Sequence, residues 1–316
     1  MRLPLTIGTR GSPLALAQAA EVWQYLARFE PALSAQGAVK IEIIQTSGDR
    51  FLERSLNDIG GKGLFTKEIE EALLGGAIDI AVHSMKDMPT VLPDGLVIGA
   101  MLPREDPRDV MMSPIARAVN ALPKNAIIGS ASLRRRAQLL HLRPDLQVEL
   151  LRGNVQSRLR KLDEGQFTAT LLAVAGLKRL SLLEKYEGTL ATILSTDIML
   201  PAVAQGAIGI ECRSDNQPIL DLLERANDQA TTICVRAERA MLRVLDGSCR
   251  TPIAALATIE AKTNLLQIDG LVATPDGSRI ERQQLTGPLA DGAALGQELG
   301  EVLRKTIGSC FLLSSL

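Results

Sequence analysis

The chain has 316 residues, 46% hydrophobic and 22% charged, with a formal net charge of −1. That length suffices for two or three domains with proper cores, and that charge gives no global reason to expect nucleic acid or an anionic membrane as a partner. No apolar run approaches the roughly 18 residues of a membrane helix, and Arg10 interrupts the N-terminus before a secretory apolar core forms.

Short apolar runs alternate with amphipathic stretches, which predicts α/β layers with mostly parallel strands. Leu3 to Ile7 reads as a strand, followed by Gly8-Thr9-Arg10-Gly11-Ser12-Pro13. Ser12 suits an N-cap and Pro13 the first helical position, so a helix is expected from there to about Phe29. Val39 to Gln45 is a second strand. The polar, Gly-rich stretch from Thr46 to Gly63, with Lys62 in it, reads as a lid or a plain surface loop ahead of a helix from about Leu64 to Leu74. Ala77 to His83 is a buried strand ending at Lys86-Asp87, which Pro89 keeps out of helix. After Pro103-Arg104-Glu105-Asp106-Pro107, a crossover between domains, three strands are expected at Ala126–Gly129, Val148–Leu151 and Ala169–Val174. Each hands an arginine to the beginning of a helix: Arg134 and Arg135, then Arg152 and Arg158, then Arg179. Ligands of open α/β sheets gather at the carboxyl ends of strands, where helix N-termini favour anions. Ala207 to Glu211 returns as a strand of the first domain, and Thr231 to Leu245 is an amphipathic helix. An antiparallel segment turning at Pro275-Asp276-Gly277 and a helix from about Ala290 to Ile307 complete a small α+β domain.

The charge distribution supports an anionic ligand. Between Asn125 and Leu180 stand ten Lys/Arg against four Asp/Glu, and in the whole chain arginine outnumbers lysine 25 to 10. Guanidinium forks grip carboxylates and phosphates bidentately. Phe167 is the only aromatic residue of the basic segment, which argues against a stacking platform for nucleic acid. Of Arg134, Arg135 and Arg136, two are expected to face a site and one solvent. Gly60-Gly61-Lys62-Gly63 is not a phosphate loop, because Leu64 stands where Ser or Thr belongs. Cys212, Cys234, Cys249 and Cys310 show no CxxC spacing and His83 and His141 are far apart, so no metal site is expected. The thiols read as reduced and the protein as cytoplasmic. Cys249, in the polar Asp246-Gly247-Ser248-Cys249-Arg250 loop, has the setting most favourable to a thiolate. Asp87 alone reads first as a turn residue. Its functional reading is an ionised carboxylate that stabilises a developing positive charge.

Taken in order, these motifs resemble those of the porphobilinogen deaminase (hydroxymethylbilane synthase) family. The matching pieces are Gly8 to Leu16, Gly60 to Phe65, Ala81 to Asp87, Arg104 to Asp109, Ser132 to Arg135, Leu151 to Asn154 and Leu200 to Ala202. The resemblance implies two periplasmic-binding-protein-like α/β domains around a cleft (1–102 with 200–224, and 103–199) and a small C-terminal α+β domain (225–316). It implies a dipyrromethane cofactor joined through a thioether to Cys249, porphobilinogen as substrate and hydroxymethylbilane as product. It also implies a monomer, while the charge, the aromatic content and the short apolar runs give no nucleic-acid or membrane partner. Asp87 is then the catalytic carboxylate, and Arg10, Ser12, Lys86, Ser132, Arg134, Arg135, Arg152, Arg158 and Arg179 bind the carboxylates of cofactor and substrate. Two departures stand out: Ser248 precedes the cysteine where glycine is frequent, and Ala131 replaces a frequent hydroxyl residue. The competing reading is an anion-binding or sensor protein of the same fold, which needs neither Asp87 nor Cys249.

Overall fold

The computed structural model describes residues 3–50, 66–245 and 251–308. The chain starts with β1 (Leu5–Thr9), α1 (Pro13–Leu26), β2 (Val39–Ile43), the single turn α2 (Ser47–Arg50), α3 (Lys67–Leu74), β3 (Ile80–Ser84) and β4 (Leu96–Met101). It continues with β5 (Asp109–Met112), β6 (Ile127–Gly129), α4 (Leu133–Leu142), β7 (Gln147–Glu149) and α5 (Val155–Asp163). Next come β8 (Ala169–Ala173), α6 (Val174–Arg179), α7 (Leu183–Tyr186), β9 (Ala191–Ile193), β10 (Ile208–Arg213), α8 (Gln217–Ala226) and α9 (Gln229–Val244). β11 (Ile253–Glu260), β12 (Leu265–Ala273), β13 (Ile280–Pro288) and α10 (Gly292–Ile307) follow.

The described residues of Met1–Glu105 and Ala207–Thr232 pack as one compact unit, and those of Asp106–Gly206 and Ile233–Leu316 as a second. The first holds a five-stranded sheet in the order β2-β1-β3-β10-β4, the second another in the order β7-β6-β8-β5-β9. Both follow one plan. Three neighbouring strands run parallel, and the fourth position is filled by a strand antiparallel to both its neighbours: β10 between β3 and β4, and β5 between β8 and β9. The mostly parallel strands expected from the apolar runs are present, with β10 and β5 alone running against the others of their sheets. The runs do not reveal that reversal, because a run buried on both faces reads alike in either direction.

The first sheet buries Leu5, Ile7, Val82 and Ile210 against α1 and α8, and buries Ala81 against Ile69 and Leu73 of α3 on its other face. β1 starts at Leu5, not Leu3. The first ladder bond runs from Leu5 N–H to Ala38 O at 2.8 Å, and Pro4 just before it has no N–H to offer. The second unit also contains the antiparallel sheet β11-β12-β13, on which α10 packs. There Glu238 of α9, fully buried, accepts from Ala204 N–H at 2.6 Å and Ala257 N–H at 2.8 Å. It thus ties the 200–206 stretch to β11. No described helix is long and apolar enough to cross a membrane.

Candidate functional site

In the first unit, β1 and β3 are parallel neighbours, so their carboxyl ends share one sheet edge. Arg10 follows β1. Ser12 caps α1, its Oγ accepting from Ala15 N–H at 3.2 Å, and remains able to donate its own proton. β3 passes into a single 3₁₀ turn, Met85–Asp87, which closes with Met88 N–H to Met85 O at 3.3 Å. Lys86 is half-buried. Asp87 is exposed, and its carboxylate makes no hydrogen bond or ion pair with any other described residue.

In the second unit, β6, β7 and β8 end at a common edge. Ser132 caps α4 by accepting from Arg135 N–H at 3.4 Å. Arg136 is exposed, while Arg134 and Arg135 are buried, 4% and 6% exposed. Their guanidiniums converge on Asp109 of β5, which is fully buried. Arg134 Nη1 donates to its Oδ2 at 2.6 Å, and Arg135 Nη2 and Nε donate to its Oδ1 at 2.6 and 3.2 Å. Burial pushes the Asp109 carboxyl up, but the two guanidinium charges and their hydrogen bonds override it and hold the group far below the ordinary carboxylate range. Two cations on one anion leave the cluster one positive charge in excess, and Arg134 Nε is buried without a partner among the described residues.

After β7, Arg152 precedes Gly153, whose φ of +115° belongs to glycine. Asn154 caps α5, its Oδ1 accepting from Ser157 N–H at 2.9 Å. Arg158 Nε returns to Gly153 O at 2.9 Å, fixing the turn. Arg152 Nε is buried and has no hydrogen-bond partner among the described residues. Arg179 departs from the expected pattern. It ends α6 rather than starting it, because the helix begins directly at Val174, and its Nη2 donates to Gly206 O at 3.1 Å.

Comparison with known proteins decides the family. The family model "Porphobilinogen deaminase, dipyromethane cofactor binding domain" matches residues 5–221, and "Porphobilinogen deaminase, C-terminal domain" matches residues 232–305. The chain belongs to the porphobilinogen deaminase family. It is 52% identical to the porphobilinogen deaminase of Paracoccus denitrificans (strain Pd 1222), across 95% of this chain and 94% of that one. It is 51% identical to the chloroplastic porphobilinogen deaminase of Oryza sativa subsp. japonica, across 97% of this chain and 85% of that one. Among solved structures, the VFT2 domain of Bordetella pertussis BvgS aligns with 70% of this chain and 84% of that one. Its 14% identity and TM-score of 0.41 carry no argument.

The residues present fit the anionic group that the family's first domain is named for. Arg134 Nε and Arg152 Nε are buried donors without acceptors among the described residues, an arrangement that costs about 1–3 kcal/mol each unless an acceptor is supplied. Cys249 and Lys62 lie outside the described residues. Reading the sequence missed Asp109, the counter-ion that gathers Arg134 and Arg135, although it stands in the Arg104–Asp109 motif. It also missed the buried pair of His83 and Glu211, whose signal was an acid inside the apolar run Ile208–Cys212.

Proposed function

We propose that the protein is a hydroxymethylbilane synthase. It condenses four porphobilinogen molecules head to tail with loss of ammonia onto a covalently bound dipyrromethane, and hydrolysis then releases hydroxymethylbilane. The observation that carries this reading, beside family membership, is the Asp87 carboxylate. It is exposed at a strand-end turn and bonded to no other described residue, so it is available to substrate.

Loss of ammonia from an aminomethylpyrrole leaves a cation delocalised onto the ring nitrogen. A fixed carboxylate beside that N–H stabilises the charge as it develops, and accepts and returns protons as the chain grows. The dipyrromethane, held through a thioether to Cys249, supplies the pyrrole to which the first substrate unit is joined. Arg134 and Arg152 hold its carboxylates through their unpaired donors. Arg10, Arg135, Arg158 and Arg179, with Ser12, Lys86 and Ser132, complete the set for the carboxylates that accumulate during elongation. Residues 1–102 with 200–224, 103–199 and 225–316 act as three domains, the last bringing the attachment cysteine. The protein works as a cytoplasmic monomer without nucleic acid or membrane.

Intact mass of the purified protein beside a Cys249→Ala variant tests this function. The expected result is an added mass of two linked porphobilinogen units, absent from the variant. A bare polypeptide that gains no mass even after incubation with porphobilinogen overturns the proposal.

A further inference from the structure

The mechanism above leaves unused a buried polar cluster under the turn that carries Asp87. Side chains along β3 alternate between the two faces of the sheet. Ile80 and Val82 enter the α1 and α8 side, whereas Ala81 packs with Ile69 and Leu73 on the α3 side, and His83 follows Ala81. On β10, Ile208, Ile210 and Cys212 take the first side, leaving Gly209 and Glu211 to the second. His83 stands opposite Gly209 in the ladder, and its Nε2 meets Glu211 Oε2 at 2.9 Å. Their side chains are only 6% and 0% exposed. A carboxylate only accepts, so Nε2 carries the proton. From α3 comes Glu70, buried on the inner face of its helix with Ile69 and Leu73. Oε1 of Glu70 and Oε1 of Glu211 are buried without hydrogen-bond partners among the described residues.

Among the described residues, the other titratable side chains of the neighbouring strands are Cys212 and Arg213 of β10, and Cys212 faces the α1 and α8 side. β1 (LTIGT) and β4 (LVIGAM) contain none, and Arg213 of β10 is spent on Leu73 O and Ile78 O, at 2.7 and 3.4 Å. Burial, above all, pushes the Glu70 carboxyl above its ordinary value. The Thr66 hydroxyl opposes this, the Glu211 charge adds to it, and His83 opposes it.

A hydrophobic set of similar volume would pack here at no cost in stability, because buried ion pairs rarely repay their desolvation. Two unpaired carboxylate oxygens make the arrangement more costly still. What the cluster does hold is the end of β3. The His83–Glu211 bond pins it to β10 on one face, and Gln18 Nε2 to Ser84 Oγ at 2.8 Å pins it to α1 on the other. Met85, the first residue of the Asp87 turn, donates its N–H to Ala207 O at 3.0 Å. Its thioether occupies the space that a side chain at Gly209 would need. We propose that His83, Glu211 and Glu70 are positioning residues for Asp87: the buried cluster fixes the turn that presents the catalytic carboxylate, and its charge state sets that presentation. This inference rests on the activity assigned above.

The test is steady-state porphobilinogen turnover by the cofactor-loaded protein across pH, for wild type, His83→Ala, His83→Gln, Glu211→Gln and Glu70→Gln. Cofactor mass and unfolding midpoint are recorded for each. The inference predicts kcat lowered about 10- to 100-fold in His83→Ala and Glu211→Gln, with KM and cofactor content unchanged. It predicts partial rescue in His83→Gln, which restores a donor toward Glu211. Glu70→Gln, nearly isosteric and the mildest change, is predicted to keep the wild-type midpoint and KM while displacing the acid limb of the kcat profile. An active wild type beside a Glu70→Gln variant with an unchanged profile, or His83 variants with unchanged kcat, overturns the inference and leaves the activity standing. A loss that follows the unfolding midpoint, with no rescue by glutamine, overturns it in favour of a purely structural role. A cofactor-loaded wild type that releases no ammonia overturns the activity and the inference together.

Discussion

Replacing Asp109 by alanine strands two guanidiniums in the interior. The native carboxylate accepts from Arg134 Nη1 at 2.6 Å, from Arg135 Nη2 and Nε at 2.6 and 3.2 Å, and from Gln205 Nε2 at 3.1 Å. After the substitution Arg134 keeps Leu200 O at 2.7 Å and Arg135 keeps Leu171 O at 2.8 Å. Each cation therefore retains a carbonyl but no opposite charge. Removing one partner from a buried ion pair costs about 3–5 kcal/mol, which in a unit of this size lowers the thermal midpoint by about 10 °C. The pH dependence has a definite sign. The folded-state pKa of Asp109 lies below its unfolded value, so its contribution is fully present above an unfolded value of about 4 and is lost as pH falls from there through the folded value. Thermal unfolding followed by circular dichroism near neutral pH and in acid should show a large gap between wild type and Asp109→Ala that narrows with acid. A gap under about 2 °C at neutral pH, or one that widens in acid, would refute the reasoning.

Gly153→Ala places a Cβ against the Ser157 hydroxyl at a φ of +115°. It should cost about 1–3 kcal/mol by chemical denaturation and, by turning Arg152 aside, reduce the fraction of protein that carries cofactor by intact mass. Glu238→Gln substitutes an amide donor for one of the two oxygens that accept from Ala204 and Ala257 N–H. A loss of about 1–3 kcal/mol in urea unfolding is expected, and an unchanged midpoint counts against the tie to β11. The Cys212 thiol is fully buried, and burial, reinforced by Glu211 and opposed by Arg213, pushes it up to about 11. Alkylation of the native protein at mildly basic pH should leave Cys212 unmodified in the peptide map, and rapid labelling would contradict its burial.

Much of the secondary structure was legible because local chemistry and burial agree. Ser12-Pro13 and Ser132 start helices where capping residues predict them, and the Asp276-Gly277 turn joins β12 to β13 with Gly277 at φ +72°. The sheet order was not legible, since β5 and β10 reach their places from outside the surrounding segments and no local pattern records that. At the site, strand-end position pointed to the arginines but not to their partners. Two of three consecutive guanidiniums turn inward because Asp109, 25 residues before Arg134, pairs with both. His83 reads as an isolated histidine until β10 is laid antiparallel beside β3 and brings Glu211 to it. Arg179 ends its helix because α6 begins directly at Val174, at the end of β8, with Gly176 buried inside it.

The central claim is that Asp87 carries the chemistry, and ammonia release from porphobilinogen by the Asp87→Asn variant tests it most directly. The side chain is exposed and unbonded to other described residues, so the substitution should leave the unfolding midpoint and the cofactor mass at wild-type values. Turnover should fall by about 100- to 10,000-fold. Ammonia release near the wild-type rate by a folded, cofactor-loaded Asp87→Asn protein would contradict the account.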